Sequence, residues 1–142
     1  MKRLFDLVLV LVLFSLLSIP MFLVAIAVFL SSRGSVLYWS DRFGRGNVVF
    51  KMPKFRSMRV ETPDVATHKM TNPNEFLTPI GGFLRRNSLD ELPQLFSIFM
   101  GDMSFVGPRP ALFNQDDLIA LRSAECDVES LFPGLTGWAQ IN

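Results

Sequence analysis

The feature that most constrains this chain is an uncharged, largely apolar stretch over residues 7–30. Its 24 residues exceed the roughly 20 that an α-helix needs to cross a bilayer. The sequence therefore predicts a membrane-inserted helix over residues 1–32. It also predicts one polar domain over residues 33–142, because about 110 residues suffice for a modest hydrophobic core. A cleavable signal peptide ending at Ala25-Ile26-Ala27 is the rival interpretation, but the apolar run is long for one and continues past this point.

The residues alone leave the topology of this helix open. Pro20 removes a backbone donor near the middle of the stretch and predicts a kink, where the hydroxyl of Ser18 can satisfy a freed carbonyl. Basic residues flank both ends, and such flanks favour the cytoplasmic side. They are Lys2, Arg3, Arg33, Arg42 and Arg45. A helix that breaks at Ser18 and Pro20 and re-enters the same membrane face satisfies both flanks, whereas a kinked spanning helix is the plainer alternative.

The net charge of +1 hides an asymmetry along the chain. Residues 1–59 carry nine Lys or Arg and two Asp or Glu, whereas residues 60–142 carry five and eleven. A basic half beside an apolar helix suits an anionic membrane surface or an anionic substrate. The basic residues form no dense run, which argues against nucleic acid as a partner. One cysteine, Cys126, and one histidine, His68, exclude an internal disulfide and a Cys/His zinc site.

Beyond the apolar stretch, the sequence predicts a small α+β domain. Two β-prone runs, residues 36–39 and 48–50, flank a glycine-rich segment and predict a hairpin. Four basic residues follow, and they suit either a solvated strand edge or an anion-binding stripe. They are Lys51, Lys54, Arg56 and Arg59. Residues 60–79 contain several Pro and Asn and predict an irregular loop.

Three helices are predicted: residues 80–86, a helix that begins near residue 88 or 92, and residues 116–125. Ser88 and Glu91 match the spacing of a capping box, with Ser88 as N-cap. Pro93 conflicts with a regular first turn because it has no N–H, so either this turn is irregular or the helix begins near Leu92. The predicted apolar face of this helix consists of Leu92, Leu95, Phe96 and Phe99.

Asp90 and Glu91 are the candidate catalytic groups. Acids in a first helical turn complement the helix dipole, which is the plain explanation of the pair. Arg85 upstream and Arg109 in the rigid segment Gly107-Pro108-Arg109-Pro110 favour phosphate chemistry instead. Carboxylates bind Mg²⁺, guanidinium groups match phosphate oxygens, and a carboxylate can attack phosphorus. The sequence contains neither a P-loop nor a dinucleotide-binding fingerprint.

Long motifs along nearly the whole chain resemble one family, the bacterial sugar transferases, which are monotopic phosphoglycosyl transferases. They are, in order, the Lys2-Arg3 start with its apolar stretch, Lys54-Phe55-Arg56-Ser57-Met58, Arg85-Arg86-Asn87-Ser88-Leu89-Asp90-Glu91-Leu92-Pro93-Gln94, Gly101-Asp102-Met103-Ser104-Phe105-Val106-Gly107-Pro108-Arg109-Pro110, and Pro133-Gly134-Leu135-Thr136-Gly137-Trp138-Ala139-Gln140. Several long motifs in one order are a more specific signal than any single short pattern.

The resemblance implies transfer of a phosphosugar from a UDP-sugar to a polyprenol phosphate, such as undecaprenyl phosphate, with release of UMP. This would be the first membrane step of bacterial glycoconjugate or polysaccharide synthesis. The resemblance also implies a re-entrant helix broken at a Ser-Pro pair, here shifted because Ile19 precedes Pro20. The domain would lie on the cytoplasmic face of the bacterial inner membrane, with membrane lipids as partners. The chain could also form a homodimer. Family members continue beyond the last motif, which implies a further C-terminal segment.

The resemblance assigns a role to each candidate residue. Asp90 inherits the role of the nucleophile that forms a covalent phosphosugar intermediate, and it would meet Mg²⁺ through the donor phosphates. Glu91 inherits that of the supporting acid. Arg109, between Pro108 and Pro110, would hold the donor nucleotide. The further phosphate contacts would be Lys54, Arg56 and Arg85.

Two other functions stay open from the residues. The chain could be a non-catalytic, membrane-anchored assembly partner that retains the fold. It could also be a metal-dependent phosphatase at the membrane that releases the phosphosugar to water without a lipid acceptor.

Overall fold

A computed structural model of the chain describes residues 1–32, 34–62, 72–112, 120 and 130–137. The helices and strands are α1 Lys2–Ser31, β1 Leu37–Phe43, β2 Val49–Phe55, α2 Gly81–Arg86, α3 Gln94–Met100, β3 Ser104–Val106 and β4 Gly134–Thr136. Short 3₁₀ turns lie at Arg45–Asn47, Pro73–Phe76 and Leu89–Glu91. A long apolar helix followed by mixed helices and strands confirms the α+β prediction. Apart from residue 120, the predicted helix over residues 116–125 lies outside the described residues, as do residues 63–71 of the predicted 60–79 loop.

Helix α1 is continuous over its 30 residues, with Pro20 inside it. By length and composition it is the helix, among the described residues, that is able to cross a membrane. The hydroxyl of Ser18 donates to the carbonyl of Ser15 at 3.1 Å, one residue before Leu16, whose carbonyl Pro20 leaves without its usual donor. The helical assignment is not interrupted at Pro20, so the re-entrant break stays a prediction.

One face of α1 packs against the domain along much of the helix. Val10 belongs to the first hydrophobic cluster and Val28 to the second, and their separation by 18 positions corresponds to about 27 Å of helix. The first cluster also contains Met52, Leu95, Ile98, Met103 and Phe105. The second also contains Phe55 and Leu84. Both halves of the helix therefore lie against the same domain.

The opposite face of α1 is apolar and exposed. Its side chains recur at intervals of three and four residues, which places them along one side of the helix. They include Leu4, Phe5, Val8, Leu11, Leu16, Ile19, Phe22, Leu23, Ile26, Phe29 and Leu30. Contact between water and an apolar face of this length is unfavourable.

The first turn of α1 is bonded to the end of α3 by its basic residues. Arg3 donates through both terminal nitrogens to the carbonyls of Ile98 and Phe99. A cation at this position satisfies carbonyls that the helix leaves unpaired and complements its dipole. Lys2 Nζ donates to the carbonyl of Val106 in β3 at 2.9 Å. The basic start of the chain therefore binds the domain directly.

Asp6 extends this attachment into the interior. Its side chain is buried, and Oδ2 accepts a hydrogen bond from Ser104 Oγ at 2.8 Å. Oδ1 lies 3.4 Å from the amide nitrogen of Phe105. The carboxyl group thus holds the first two residues of β3.

The predicted hairpin is confirmed, with longer strands than the β-prone runs suggest. β1 and β2 pair antiparallel from Leu37 opposite Phe55 to Phe43 opposite Val49. Gly46 and Asn47 have φ of 65° and 57°, the left-handed backbone that such residues adopt most readily in tight turns. Strand β2 carries Lys54 towards the second half of the domain.

The predicted capping box at Ser88 is wrong. Ser88 has φ 53° and ψ 21°, a left-handed conformation, and its side chain makes no capping bond to the described turn that follows. The Glu91 side chain points to Lys54 and Arg109 instead. The alternative of an irregular first turn is confirmed: α3 begins after Pro93, where a missing N–H is tolerated.

The predicted apolar face of α3 is only partly correct. Leu95 is buried, but Phe96 and Phe99 are about half exposed. The buried face includes Ile98 and two polar residues, Gln94 and Ser97. The exposed phenylalanines extend the apolar surface of the molecule rather than its core.

The Gly107–Pro110 segment is held by backbone contacts. β3 and β4 pair in parallel, and the amide of Gly134 donates to the carbonyl of Pro108 at 2.9 Å. A Cβ on Gly134 would collide with the backbone of Gly107, so close approach requires glycine here. This packing places Arg109 opposite the turn that carries Asp90 and Glu91.

Candidate functional site

The centre of the candidate site is an ion cluster on Glu91. Lys54 Nζ lies 2.8 Å and Arg109 Nη2 3.1 Å from the same carboxylate oxygen, Oε1. Lys54 comes from β2, Glu91 from the turn before α3, and Arg109 from the segment after β3. Three distant stretches of sequence therefore meet at one carboxylate.

Asp90 lies next to this cluster and is 7% exposed. Burial raises the pKa of its carboxyl group above the ordinary value, and the neighbouring charge of Glu91 adds to this. The positive charges of Lys54 and Arg85 oppose the rise. Because a raised pKa makes the ionised carboxylate more basic, Asp90 is suited to attack an electrophile.

The pKa of Glu91 is shifted in the opposite direction to that of Asp90. Burial alone would raise its pKa, but the contacts with Lys54 and Arg109 outweigh burial and lower the pKa below the ordinary value. Burial lowers the pKa of Lys54, against the attraction of Glu91. Adjacent acids whose environments separate their pKa values are typical of sites in which the two carboxyl groups have different roles.

A shallow, open pocket lies beside Glu91. It is lined by Arg42, Met52, Glu91, Gln94, Arg109, Pro110, Gly134 and Leu135. Two guanidinium groups in the wall of one pocket suit an anionic ligand, in particular phosphate oxygens.

Arg42 is a residue of this pocket that the sequence did not predict, since it counted only as a basic flank of the membrane helix. Its Nη1 donates to the carbonyl of Pro110 at 3.2 Å, and its Nε donates to Ser40 Oγ at 3.0 Å. It therefore bonds the hairpin to the Arg109 segment. The signal was weak, because only the fold brings β1 to this segment.

Gln94 is the second residue that the sequence did not predict. Its side chain is 2% exposed, and its Nε2 has no hydrogen-bond partner within the part of the chain that the structure describes. Its place three residues after Glu91 was visible in the sequence, but a polar residue there reads equally well as a solvent-facing helix position.

Not every predicted residue reaches the pocket. Arg56 Nη2 donates to Ser35 Oγ at 2.8 Å, near the connection between α1 and β1. Arg85 acts on Asp90 through its charge. Pro110 lines the pocket, whereas Pro108 contributes its backbone carbonyl to Gly134. The structure thus brings Lys54, Asp90, Glu91 and Arg109 together and leaves the predicted substrate contact of Arg56 as a prediction.

The acids of the described site fit a magnesium ion only if a bound substrate supplies some of its ligands. Among the described residues there is no group of three or more His, Cys, Asp or Glu side chains that could enclose a metal. Mg²⁺ commonly binds one or two carboxylates and takes its remaining ligands from substrate phosphates and water. A single carboxylate at Asp90, facing a diphosphate, fits that mode.

A long apolar helix joined to a domain with an acid pair beside a cationic pocket defines a membrane-associated protein with a site suited to an anion. The model of the bacterial sugar transferase family matches residues 1–142. The chain therefore belongs to the bacterial sugar transferase family, as the motifs predict.

Curated relatives extend this result. The chain is 41% identical over 143 residues to a UDP-glucose:undecaprenyl-phosphate glucose-1-phosphate transferase of Escherichia coli K12, covering 100% of the chain and 31% of that protein. A protein of the same name from Caulobacter vibrioides is 39% identical over 143 residues, covering 99% and 53%. The exopolysaccharide production protein ExoY of Rhizobium meliloti is 39% identical over 158 residues, covering 99% and 68%. The chain thus spans less than a third of the first of these relatives.

Proposed function

We propose that this chain carries the transfer site of a phosphoglycosyl transferase, which moves a phosphosugar from a UDP-sugar to undecaprenyl phosphate. The observation that supports this most is the buried Asp90, with raised pKa, beside Lys54 and Arg85 and next to the Glu91 cluster. Five of the curated relatives have names that specify undecaprenyl phosphate and glucose. UDP-glucose is therefore the first donor to test.

The first half-reaction forms a covalent intermediate. A carboxylate oxygen of Asp90 attacks the donor phosphorus that bears the sugar, and a new O–P bond forms. The bond between this phosphorus and the bridging oxygen breaks, and UMP leaves with the electron pair. The product on the protein is an acyl phosphosugar at Asp90.

The second half-reaction regenerates the carboxylate. A phosphate oxygen of undecaprenyl phosphate attacks the same phosphorus, and the bond to Asp90 breaks. The product is an undecaprenyl diphosphate sugar. In both steps Asp90 alternates between carboxylate and acyl phosphate, so no external acid, oxidant or reductant is required.

The neighbouring residues hold the donor and its developing charge. The Arg109 side chain is half exposed. Its guanidinium group can therefore bind phosphate oxygens while it keeps part of its contact with Glu91. Lys54 donates a hydrogen bond to Glu91 and lies close to Asp90. Asp90 would hold Mg²⁺ through the donor phosphates, and the ion would supply charge neutralisation on the diphosphate of the donor.

The membrane placement follows from α1. Lys2, Arg3 and Asp6 bind the domain at one end of the helix, and Val28 packs into it at the other. Since one domain holds both ends, the two ends would lie on the same face of the membrane, the cytoplasmic face of the bacterial inner membrane. The exposed apolar face of α1 would enter the lipid, and the exposed side chains of Phe83, Phe96, Phe99 and Met100 would add to the apolar surface.

One assay tests the proposed activity. The protein is incubated with a panel of UDP-sugars, with and without undecaprenyl phosphate, and released UMP is quantified. We expect one UMP per protein without acceptor and continuous release with it. A protein that releases no UMP from any donor would favour the assembly-partner function, and continuous release without acceptor would favour the phosphatase.

A separate experiment tests topology. Single cysteines replace Lys2 and Ser35 in a Cys126→Ala background, and each is labelled from either side of inverted and right-side-out vesicles. Labelling of both from the cytoplasmic side is expected. Labelling from opposite sides would establish a spanning helix.

A further inference from the structure

Gln94 carries a hydrogen-bond donor that the described protein does not use. Its side chain is 2% exposed, and Nε2 has no partner within the described residues. Buried polar groups are nearly always paired, because an unpaired one loses its hydration without compensation. The side chain lines the pocket beside Glu91, so a ligand bound there can supply the missing acceptor.

The surroundings indicate which acceptor this is. Arg42 and Arg109 line the same pocket, and Lys54 lies 2.8 Å from Glu91 at its edge. A pocket with two guanidinium groups favours an anionic oxygen over a neutral carbonyl. The pocket wall also contains the apolar side chains of Met52 and Leu135, and a hydrogen bond to such an oxygen is stronger in less polar surroundings.

We propose that Gln94 donates from Nε2 to a phosphate oxygen of the substrate, which makes it a substrate-binding residue of this site. This rests on the proposed function. The phosphate can belong to the nucleotide donor or to the lipid acceptor. The two half-reactions distinguish them, since UMP release from donor alone needs only the first.

The test is Gln94→Met, which keeps the length of the side chain and removes the donor. We expect kcat/KM for UMP release from donor alone to fall about 10- to 100-fold, while the melting temperature stays equal or rises. Asn87→Ala is the matched control. Asn87 donates its amide to the carbonyl of Phe83 at 2.8 Å, so its removal should lower the melting temperature and leave UMP release intact.

The remaining outcomes of the Gln94→Met experiment each refine or overturn the proposal. Normal UMP release with slow transfer to undecaprenyl phosphate would assign the oxygen to the acceptor. Unchanged kinetics in both steps would overturn the proposal, and so would a Gln94→Met protein that melts lower or does not fold, because the protein itself would then use the amide. The wild-type burst of UMP tests the proposed function separately.

A second inference rests on independent contacts, those of Asp6. The first two turns of α1 bond to all three residues of β3: Asp6 to Ser104 and Phe105, and Lys2 to Val106. Three residues after this strand comes Arg109, whose guanidinium binds Glu91. We infer that Asp6 is a positioning residue, which holds β3 so that Arg109 reaches the pocket.

A double-mutant cycle tests this. Asp6→Ala should lower kcat/KM for donor about 10-fold in the wild-type background and have no further effect in Arg109→Ala, because residues that act through one another are not additive. Ser104→Ala removes the same hydrogen bond from the other side and should give the same pattern, and it decides the question if Asp6→Ala does not fold. Asp41→Ala, at an exposed acid, is the control. Equal losses in both backgrounds, or none in either, would contradict the inference.

Discussion

Among the described residues, two aspartates are buried in different regions of this molecule, and the protein holds them in opposite ways. Asp6 in α1 accepts hydrogen bonds from the Ser104 hydroxyl and the Phe105 amide, both neutral groups. Asp90 lies among charges, and burial raises its pKa. Burial alone therefore does not mark a reactive carboxyl group. The distinction lies in whether neutral donors satisfy the carboxyl group or whether it lies among charged neighbours.

The backbone differs between the two regions as well. Asp6 lies in a regular helix, whereas Asp90 follows Ser88, a residue with positive φ, by two positions. Left-handed backbone at a residue other than glycine is costly and is concentrated at functional sites. The sequence around Asp90 thus maintains a conformation that secondary structure does not require.

The largest expected effect is on Asp90 itself. At neutral pH, Asp90→Asn should lower turnover by about three orders of magnitude or more, because an amide is not a nucleophile. A folded-state pKa above the ordinary value stabilises only below the ordinary pKa, and this stabilisation is lost as pH rises through the folded value. The melting temperature at neutral pH should therefore not fall. A lower melting temperature with retained turnover would assign Asp90 the structural role of Asp6.

Glu91 should matter to stability in the opposite sense. Glu91→Gln weakens the bonds to Lys54 and Arg109 and should cost about 1–2 kcal/mol of unfolding free energy, a modest value because the Glu91 side chain is 21% exposed. Its lowered pKa contributes stability that is present above the ordinary pKa of about 4.3 and lost as pH falls through the folded value. Denaturant titrations of both proteins from pH 7 to 3 should converge in acid. A gap that is constant with pH would exclude the ion pairs as its cause.

The rate of the donor half-reaction should fall at acid pH as the Asp90 carboxylate becomes protonated. Lys54 lowers the Asp90 pKa, so Lys54→Met should move the acid limb of the UMP burst to higher pH. Lys51→Met is the control on the same strand, because Lys51 is exposed and pairs with Asp41 at 3.1 Å. Rapid-quench measurements from pH 5 to 8 compare the three proteins. Equal shifts in both variants would indicate a general change of charge instead.

The smallest effect concerns the backbone before Asp90. In the left-handed conformation Ser88→Gly should stay within about 0.5 kcal/mol of wild type, whereas Ser88→Thr should lose about 1 kcal/mol because a β-branched residue is disfavoured there. An N-cap at Ser88 would tolerate threonine almost as well as serine. Denaturant unfolding of the two variants distinguishes these geometries, and a fully stable Ser88→Thr would restore the capping prediction.

Local patterns predicted the parts of the fold that depend on neighbouring residues. The apolar helix, the hairpin and the helix at residues 81–86 could be read from periodicity and turn residues. The predicted capping box at Ser88 was wrong because the same Ser88–Glu91 spacing also occurs where the glutamate binds residues from distant segments, here Lys54 and Arg109. Arg42, Gln94 and the Asp6 contacts with β3 were not predicted, since each depends on packing between distant segments. The acid pair and Arg109 were predicted because their motifs are long and specific.

The most direct measurement is intact-protein and peptide mass spectrometry after incubation of the wild type with UDP-sugar alone. The covalent mechanism predicts release of one UMP per protein and a mass gain of one phosphosugar on the peptide that contains Asp90. Asp90→Asn should show neither, and added undecaprenyl phosphate should remove the adduct from the wild type. UMP release that strictly requires undecaprenyl phosphate, with no adduct on that peptide, would establish direct transfer and contradict a nucleophilic Asp90.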